Sequence, residues 1–482
     1  GHLEDMEAAW MSVSTGARGP RGRSLGVLFV LVGFYCKCLV AGTEMAEECS
    51  SVSGLSPEAL PPADLLAARG CSADTLGAWL SDGGFALQGY HVLCLGAAFA
   101  DQATRPAMVF HEGLPSPLPL EVDLPTGSWT SFRQTLEAAI PIPRALDPWH
   151  DAGGFFQRCK NADSRCQGWA NAGECTANPG YMHIHCGGSC GTCNLSHTAP
   201  VWEGQPWALF RAEDRSQRSL QDISSLAETP EMLLVFEGGQ FIWPGVRIGF
   251  ERQVMLDPGP VVLRTLALQP LVLSVTSFLS PEECAKVIKQ ATPRLAKSKV
   301  SFMDKDKGKS DSEFRTSSTV FMPSSNSMLR EIDERVAQLT RIPRQHQEHV
   351  QVLRYENSEH YGSHHDYWDA DFYQTDDMLS MTRGGFVNRL ATVFWYMSNV
   401  TSGGETNFPR AHGGADLPNT KQNCGSRGLS VAPEEGKVII FYSLKPDGSG
   451  DRFSLHSACP VREGAKWAAN KWVWSEPQPF VS

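Results

Sequence analysis

The chain has 482 residues, of which 41% are hydrophobic and 20% are charged, and its formal net charge is −11. This length predicts two to four domains, and the composition indicates a mostly globular, soluble protein. The negative charge argues against nucleic-acid binding, because phosphate recognition needs a clustered basic surface, which is absent beyond the extreme N-terminal region.

Residues 1–45 have the features of a secretory targeting segment. Arginines at positions 18, 21 and 23 precede an uncharged apolar run over residues 25–35, and small residues follow at 40–42. The run is shorter than the roughly 20 residues that a membrane-spanning helix needs. We expect a cleaved signal peptide or, alternatively, a retained type II anchor that attaches the protein to a membrane. Both place the chain in the endoplasmic reticulum lumen or the secretory pathway.

Residues 46–158 and 200–262 share a Pro-, Leu- and Ala-rich composition with short helix and strand signals. Residues 118–122, 232–236 and 240–243 are predicted strands, the last two separated by a Glu-Gly-Gly turn. We expect a small α+β region that is interrupted by a cysteine-rich insert. No pattern in it indicates chemistry, so recognition or packing is the favoured role.

The insert spans residues 159–193 and holds six of the 14 cysteines of the chain. These are Cys159, Cys166, Cys175, Cys186, Cys190 and Cys193. So short a segment cannot bury a sufficient core, so three disulfides formed in an oxidising compartment are expected to hold it. The segment resembles the ShK toxin-like (ShKT) domain, and that resemblance implies that the first cysteine pairs with the last. Sequence alone leaves the connectivity open.

A structural or targeting module is the expected role of the insert. Zinc binding by its cysteines with His183 or His185 is one alternative, although the secretory context favours disulfides. Channel block, the activity of the toxins that name the family, is the other.

Secondary-structure signals sharpen in residues 265–480. Ser280, Pro281 and Glu283 predict a capped helix start, and an amphipathic pattern predicts a second helix over residues 328–339. Residues 301–312 are expected to form a mobile loop. Short strands are predicted over residues 350–355, 391–397, 437–442 and 471–474. Helices followed by turn-punctuated strands indicate a mainly β catalytic domain, a double-stranded β-helix or jelly roll with supporting helices.

A candidate metal site follows from three residues. His364 and Asp366 form a His-x-Asp pair, and positions i and i+2 of a strand face the same side. The downstream His456 would complete the two imidazoles and one carboxylate that bind non-haem iron(II) and leave three positions open. Lys466 offers a cation for the far carboxylate of a 2-oxo acid. His365, between the first two ligands, is expected to point the other way.

Residues 348–366, 389–409 and 436–472 resemble, in order, the catalytic domain of prolyl 4-hydroxylases, particularly the plant and algal type. The resemblance implies that the three predicted ligands bind Fe(II). It implies that Lys466 binds 2-oxoglutarate, with Tyr355 and Thr406 as further contacts. The residues that would line a peptide groove are Arg315, Ser317, Glu348, Tyr361, Arg389 and Trp472. Cys424 and Cys459 match a disulfide of the family.

The expected activity is hydroxylation of a peptidyl proline to 4-hydroxyproline, with 2-oxoglutarate converted to succinate and carbon dioxide and L-ascorbate as the reductant. The partner would be a proline-rich peptide or protein, because an aromatic-lined groove suits an extended polyproline II chain. Three alternatives stay open. They are an Fe(II)/2-oxoglutarate hydroxylase acting on another residue or a free amino acid, a non-catalytic ShKT-containing binding protein, and a zinc hydrolase with the same ligands.

Overall fold

A computed structural model of the chain describes residues 240–478, apart from 383–386, 415–419 and 446–447. Before residue 240 it describes a set of shorter segments. They are residues 29–31, 34–36, 70–72, 76–77, 79–80, 87, 89–96, 104–111, 117–122, 129–139, 161, 163–178, 181–182, 185–190, 208–212, 220, 226 and 230–236. Most of the predicted targeting segment therefore lies outside the described residues.

Two short strands are described within residues 1–58, and they pair with each other. These are β1 (Phe29–Leu31) and β2 (Phe34–Cys36), which run antiparallel. They fall inside or beside the apolar run of the predicted targeting segment. Among the helices of the described residues, none combines the length and the apolar character that crossing a membrane requires.

Strands from both sides of the cysteine-rich segment form one five-stranded antiparallel sheet in the order β5-β4-β3-β7-β6. Its strands are β3 (Tyr90–Leu95), β4 (Arg105–Phe110), β5 (Pro117–Val122), β6 (Ala208–Arg211) and β7 (Glu231–Phe236). Helix α1 (Trp129–Ala139) covers one face, where Phe132 and Leu136 join the buried cluster. The central strand β3 is buried along its whole length, as expected for a strand covered on both faces.

The described part of the cysteine-rich segment includes the short helices α2 (Cys166–Asn171), α3 (Glu174–Ala177) and α4 (Gly187–Cys190). Two disulfides, Cys166–Cys186 and Cys175–Cys190, cross-link them. Among the described residues of this segment, Cys166, Met182 and Cys186 form the buried core, so the covalent links carry much of its stability. Cys159 and Cys193 lie outside the described residues, and so does their pairing.

The strand predicted over residues 240–243 is wrong. This segment forms no strand, and its polar groups bond to side chains and distant carbonyls. The Trp243 backbone N–H donates to the Tyr442 hydroxyl at 3.1 Å, and its indole N–H donates to the Leu339 carbonyl at 2.8 Å. From the five-stranded sheet, the Tyr90 hydroxyl donates to the Ile242 carbonyl at 2.7 Å. Residues 240–243 therefore connect the five-stranded sheet to a nine-stranded sheet in the catalytic region and to a helix over residues 327–340, and we call them the connecting segment.

The catalytic region contains a nine-stranded antiparallel sheet in the order β11-β12-β13-β22-β15-β19-β10-β9-β8. Its strands are β8 (Glu251–Leu256), β9 (Gly259–Leu268), β10 (Leu271–Val275), β11 (Ala296–Lys297), β12 (Ser318–Met322), β13 (Val350–Tyr355), β15 (Arg389–Tyr396), β19 (Val438–Tyr442) and β22 (Lys466–Trp474). The sheet thus includes residues before the expected domain start at 265. The predicted mainly β fold is confirmed.

A four-stranded sheet in the order β14-β20-β17-β18 faces the nine-stranded one. Its strands are β14 (Tyr361–His364), β17 (Thr406–Phe408), β18 (Leu429–Val431) and β20 (His456–Ala458), and β16 (Ser402–Gly403) pairs separately with β21 (Val461–Glu463). Apolar side chains from both sheets, among them Tyr396 and Phe408, fill the space between them. The disulfide Cys424–Cys459 ties the connection before β18 to the residue that follows β20, so this predicted pair is present.

Helices α5 (Pro281–Ala291) and α7 (Ser327–Thr340) support the outer face of the nine-stranded sheet. The predicted capping box of α5 is confirmed: the Ser280 hydroxyl accepts from the Glu283 N–H at 3.2 Å, and the Glu283 carboxylate accepts from the Ser280 N–H at 2.9 Å. The predicted loop of residues 301–312 contains a short 3-10 turn and the start of α6 (Asp311–Phe314). Helix α8 (Asp376–Met381) follows β14.

A buried ion pair joins α7 to β22, where the Lys471 ammonium lies 2.7 Å from the Asp333 carboxylate and also donates to the Glu348 carbonyl at 2.7 Å. We expect Lys471→Met to lower the free energy of unfolding by about 3 kcal/mol, because it removes the nearest counter-charge of the buried Asp333 carboxylate. The carboxylate then keeps the Ser324 hydroxyl and the more distant Arg344, at 3.7 Å. Urea denaturation followed by tryptophan fluorescence measures this. The control is Lys297→Met, which breaks a pair whose lysine is 81% exposed and should cost less than about 1 kcal/mol. Equal losses would contradict the expectation.

Candidate active site

The three predicted ligands converge where β14 pairs with β20. His364, the last residue of β14, lies directly opposite His456, the first residue of β20. The His-x-Asp pair does not lie on one strand, because β14 ends at His364 and Asp366 follows in a bend. One ligand atom from each of the three nevertheless lies within 4.8 Å of the others.

Hydrogen bonds to carbonyl groups fix the protonation of both imidazoles. His364 Nδ1 lies 2.8 Å from the Gly362 carbonyl, and His456 Nδ1 lies 2.9 Å from the Ser454 carbonyl. A carbonyl can only accept, so each Nδ1 carries the proton. The Nε2 atoms of both rings face Asp366, at 3.7 and 3.8 Å from its carboxylate oxygens. Such a site is ready for a metal cation.

Burial and charge hold these groups in their ligand forms. Burial lowers the pKa of His364 well below its ordinary value, so the imidazole is neutral. Burial would raise the pKa of Asp366, but the neighbouring His456, His364 and Arg389 outweigh it and lower that pKa to about 2. A neutral His364 imidazole and an ionised Asp366 carboxylate require no deprotonation before a divalent ion binds. The donor set fits iron(II), for which two histidines and one carboxylate are typical.

Thr392 is a site residue that the sequence analysis missed. It is fully buried in the middle of β15, and its hydroxyl donates to Asp366 Oδ2 at 2.6 Å. This bond fixes the rotation of the carboxylate. A single threonine among the apolar residues of β15 was the available signal, because a buried hydroxyl needs a partner.

Aromatic rings enclose the imidazoles on two sides. Tyr361 stacks on His364 with ring centroids 3.7 Å apart and an interplanar angle of 22°. Phe441 and Phe408 lie 4.6 and 5.6 Å from the His456 ring. These contacts hold both rings in place and keep water from one side of the site. His365, by contrast, faces the Arg452 carbonyl at 3.2 Å and is not part of the ligand cluster.

Lys466 lies in a fully buried pocket close to the four-stranded sheet. It begins β22 opposite Tyr355 of β13, and its ammonium group donates to the Thr406 hydroxyl at 3.4 Å. Among the described residues, that hydroxyl is its one hydrogen-bonding partner. The rings of Tyr355, Phe394 and Tyr396 surround it at 5.3–5.6 Å.

The pocket leaves the Lys466 charge poorly compensated. Burial lowers the pKa of Lys466 to about 7, and the negative charge of Glu405 offsets only part of this effect. A buried cation without a directly bound anion is costly, so the pocket suits a ligand that brings a carboxylate. The residues present therefore fit the far carboxylate of 2-oxoglutarate.

Four aromatic and charged residues form a layered cluster beside Asp366. Arg389 donates to both oxygens of the Glu348 carboxylate, at 2.5 and 2.9 Å. Its guanidinium lies between the rings of Trp472 and Trp368, at 3.4 and 4.2 Å from their centroids. Arg389 also donates weakly to the Asp366 carbonyl at 3.4 Å. Trp368 was not predicted, because no motif marks it.

Arg315 and Ser317 lie on the opposite side of His364. The Arg315 guanidinium covers the Tyr361 ring at 4.4 Å and donates to the Ser317 hydroxyl at 3.0 Å. Both residues are buried, and Arg315 Nη2 has no hydrogen-bond partner within the described part of the chain. All twelve predicted site residues are thus found in three adjoining clusters, centred on the ligands, on Lys466 and on Arg389.

Two protein-family models match parts of this chain. Residues 350–474 match the 2OG-Fe(II) oxygenase superfamily, and residues 158–193 match the ShK domain-like family. "Probable prolyl 4-hydroxylase 8" of Arabidopsis thaliana is 40% identical over 215 residues, which cover 44% of this chain and 70% of that protein. "Probable prolyl 4-hydroxylase 3" of the same plant is 39% identical over 213 residues, which cover 43% and 70%.

A solved structure also aligns with the catalytic region. It is the viral collagen prolyl hydroxylase of Paramecium bursaria Chlorella virus-1 in its 2OG complex. The alignment covers 42% of this chain and 95% of that chain, with a TM-score of 0.30 and 23% sequence identity. The plant sequences are the more similar.

The Thr392 hydrogen bond predicts an effect on metal affinity. We expect Thr392→Val to weaken Mn(II) binding about tenfold, because the carboxylate loses the bond that orients it. Isothermal titration calorimetry on the full chain measures this. Thr392→Ser keeps a hydroxyl and should retain most of the affinity. Unchanged binding by the valine variant would show that Asp366 needs no orienting partner.

Proposed function

This chain belongs to the prolyl 4-hydroxylase family, and from that premise we propose that His364, Asp366 and His456 hold its iron(II). Its activity is the hydroxylation of peptidyl proline to 4-hydroxyproline. Bound iron(II) and 2-oxoglutarate supply the chemistry, in which dioxygen hydroxylates the proline and converts 2-oxoglutarate to succinate and carbon dioxide. The observation that carries the assignment of the ligands is the convergence of their donor atoms within 4.8 Å.

The protein itself supplies orientation and charge. The Gly362 and Ser454 carbonyls aim the two imidazoles, and Thr392 aims the carboxylate. With three protein ligands, the ion would keep coordination positions open for the co-substrate and dioxygen.

Lys466 is proposed to bind the far carboxylate of 2-oxoglutarate. The Thr406 hydroxyl accepts a hydrogen bond from its ammonium group, and Tyr355 lies opposite it in the sheet. A bound carboxylate gives the buried ammonium group its counter-charge and favours the protonated form. The co-substrate would thus be held at the lysine end by a charge-assisted hydrogen bond.

The peptide is proposed to lie along Arg315, Ser317, Tyr361, Glu348, Arg389 and Trp472. Glu348 and Arg389 neutralise each other, so the part of this wall near Trp472 offers shape and aromatic surface rather than net charge. Trp472 Nε1 is buried without a hydrogen-bond partner among the described residues, and so is Arg315 Nη2. Both are donors, and a polyproline II chain presents unbonded carbonyl groups.

L-Ascorbate is proposed as the reductant that keeps the iron in its ferrous form. The endoplasmic reticulum lumen or another secretory compartment is the proposed location. The disulfides Cys71–Cys94, Cys166–Cys186, Cys175–Cys190 and Cys424–Cys459 support an oxidising environment. If residues 1–45 are not cleaved, they would attach the enzyme to the lumenal side of a membrane.

Removal of one imidazole tests the metal site. We expect His456→Ala to abolish formation of 4-hydroxyproline in a proline-rich peptide supplied with iron(II), 2-oxoglutarate and ascorbate, because two ligands hold the ion too weakly. Mass spectrometry of the peptide and succinate release measure turnover. His412→Ala, which removes an exposed histidine, is the matched control and should remain active. Full activity of His456→Ala would remove the ligand assignment.

The lowered pKa of Lys466 predicts how 2-oxoglutarate binding depends on pH. The cationic form exists below a pKa of about 7 and is lost above it, and only the cation attracts the carboxylate. We therefore expect 2-oxoglutarate affinity of the Mn(II)-loaded protein to fall about tenfold for each pH unit above 7. Calorimetric titrations between about pH 6 and about pH 8, one unit on either side of that value, measure the trend.

Lys466→Met is the control for this experiment. It has a similar length and no charge, so its affinity should be low and independent of pH. A flat profile in the unaltered protein would contradict the role of the lysine.

A further inference from the structure

A large aromatic side chain lies exposed on the site face of the nine-stranded sheet. Phe321 of β12 is 48% exposed. Four residues are directly opposed across successive strands of the sheet. They are Phe321 of β12, Gln351 of β13, Asn470 of β22 and Phe394 of β15. Directly opposed residues of an antiparallel sheet point to the same face. Phe394 packs between the two sheets, so Phe321 lies on the face that carries Thr392 and the site.

Phe321 continues the aromatic cluster that surrounds Arg389. Its ring centroid lies 6.3 Å from that of Trp472, and the two ring planes are inclined by 35°. Trp472 in turn covers Arg389, which lies on Trp368. Trp472 is buried, and Phe321 is the exposed end of the series.

The row of side chains that connects Phe321 to Phe394 is uncharged. Its members Gln351 and Asn470 are buried and hydrogen-bond to each other at 3.0 Å, so the Phe321 ring is the exposed apolar surface at this end of the row. Proline rings pack on exposed aromatic side chains. The Phe321 ring therefore fits a proline of a proline-rich chain.

Resting on the proposed function, we propose that Phe321 is a second contact for the substrate, binding a proline ring remote from the hydroxylated residue. β12 lies three strands from β15, whose Thr392 contacts Asp366. At about 4.8 Å between strands this separation is about 14 Å. A polyproline II chain advances about 3.1 Å per residue, so the second proline lies about four or five residues from the first.

Two peptides separate this contact from the reaction itself. The first is a proline-rich peptide of about five residues around the target proline, which cannot reach Phe321, and the second extends it to about fifteen residues. We expect Phe321→Ala to raise the KM for the long peptide about five- to tenfold and to leave kcat unchanged. The KM for the short peptide should not change. Succinate release gives the rates, and mass spectrometry identifies the hydroxylated proline.

The matched control is Met255→Ala, which truncates a 65% exposed side chain on β8 at the opposite edge of the sheet. It should leave both KM values unchanged. Phe321→Trp keeps an aromatic surface and should restore the low KM. If Phe321→Ala fails to fold, as judged by circular dichroism, Phe321→Leu takes its place with the same expectation.

Replacing prolines by alanine in the long peptide adds a second measure. Alanine about four or five residues from the target should raise the KM of the unaltered enzyme but have no further effect in Phe321→Ala.

Equal changes for long and short peptides, or none, would overturn the proposal. So would a change in oligomeric state in Phe321→Ala, since the face would then bind a second copy of the chain. Absence of hydroxyproline with the unaltered enzyme on either peptide would instead refute the proposed function.

Discussion

The pairing of β14 with β20 is the constraint on which the site depends. It places His364 opposite His456, residues that are far apart in the chain, and β20 also pairs with β17, which carries Thr406. One short strand thus connects the proposed metal ligands to the proposed co-substrate pocket. The Cys424–Cys459 disulfide holds the end of that strand, so the covalent link lies three residues from a proposed ligand, as the numbering of His456 and Cys459 shows. Small displacements of β20 would move both halves of the site together.

Without bound ligands, the protein has two buried charged groups that lack a directly bound counter-ion within the described part of the chain. Asp366 is an ionised carboxylate in a buried place, and Lys466 is a buried cation without a paired carboxylate among the described residues. Each is costly alone, because burial penalises an unpaired charge. A metal cation compensates the first and an anionic co-substrate compensates the second. Elsewhere the same fold pairs its buried charges internally, as Lys471 and Asp333 do. The presence or absence of an internal counter-charge thus distinguishes buried charges that would bind a ligand from those that stabilise the sheet.

Much of the fold and most of the site could be predicted from the sequence, for different reasons. The strands of the catalytic domain show continuous apolar runs, and the capped start of α5 has a local signature. The site residues were predicted from sequence motifs and from the number of residues between those motifs. Thr392, Trp368 and Phe321 were missed, because each acquires its role from a neighbour that only the folded sheet brings close. The strand predicted at residues 240–243 was wrong because its side chains bond to distant elements, which no local pattern records.

The connecting segment, residues 240–243, limits where the catalytic unit can be separated from the rest of the chain. Trp243 is anchored to Tyr442 and Leu339 of the catalytic region, and Ile242 is anchored to Tyr90 of the five-stranded sheet. A fragment that began at residue 265 would lose this anchor together with β8, and would expose the apolar surface that they cover. The N-terminal sheet and the oxygenase therefore share one core. An insertion, deletion or fusion at their junction would be transmitted to the strands that carry the site.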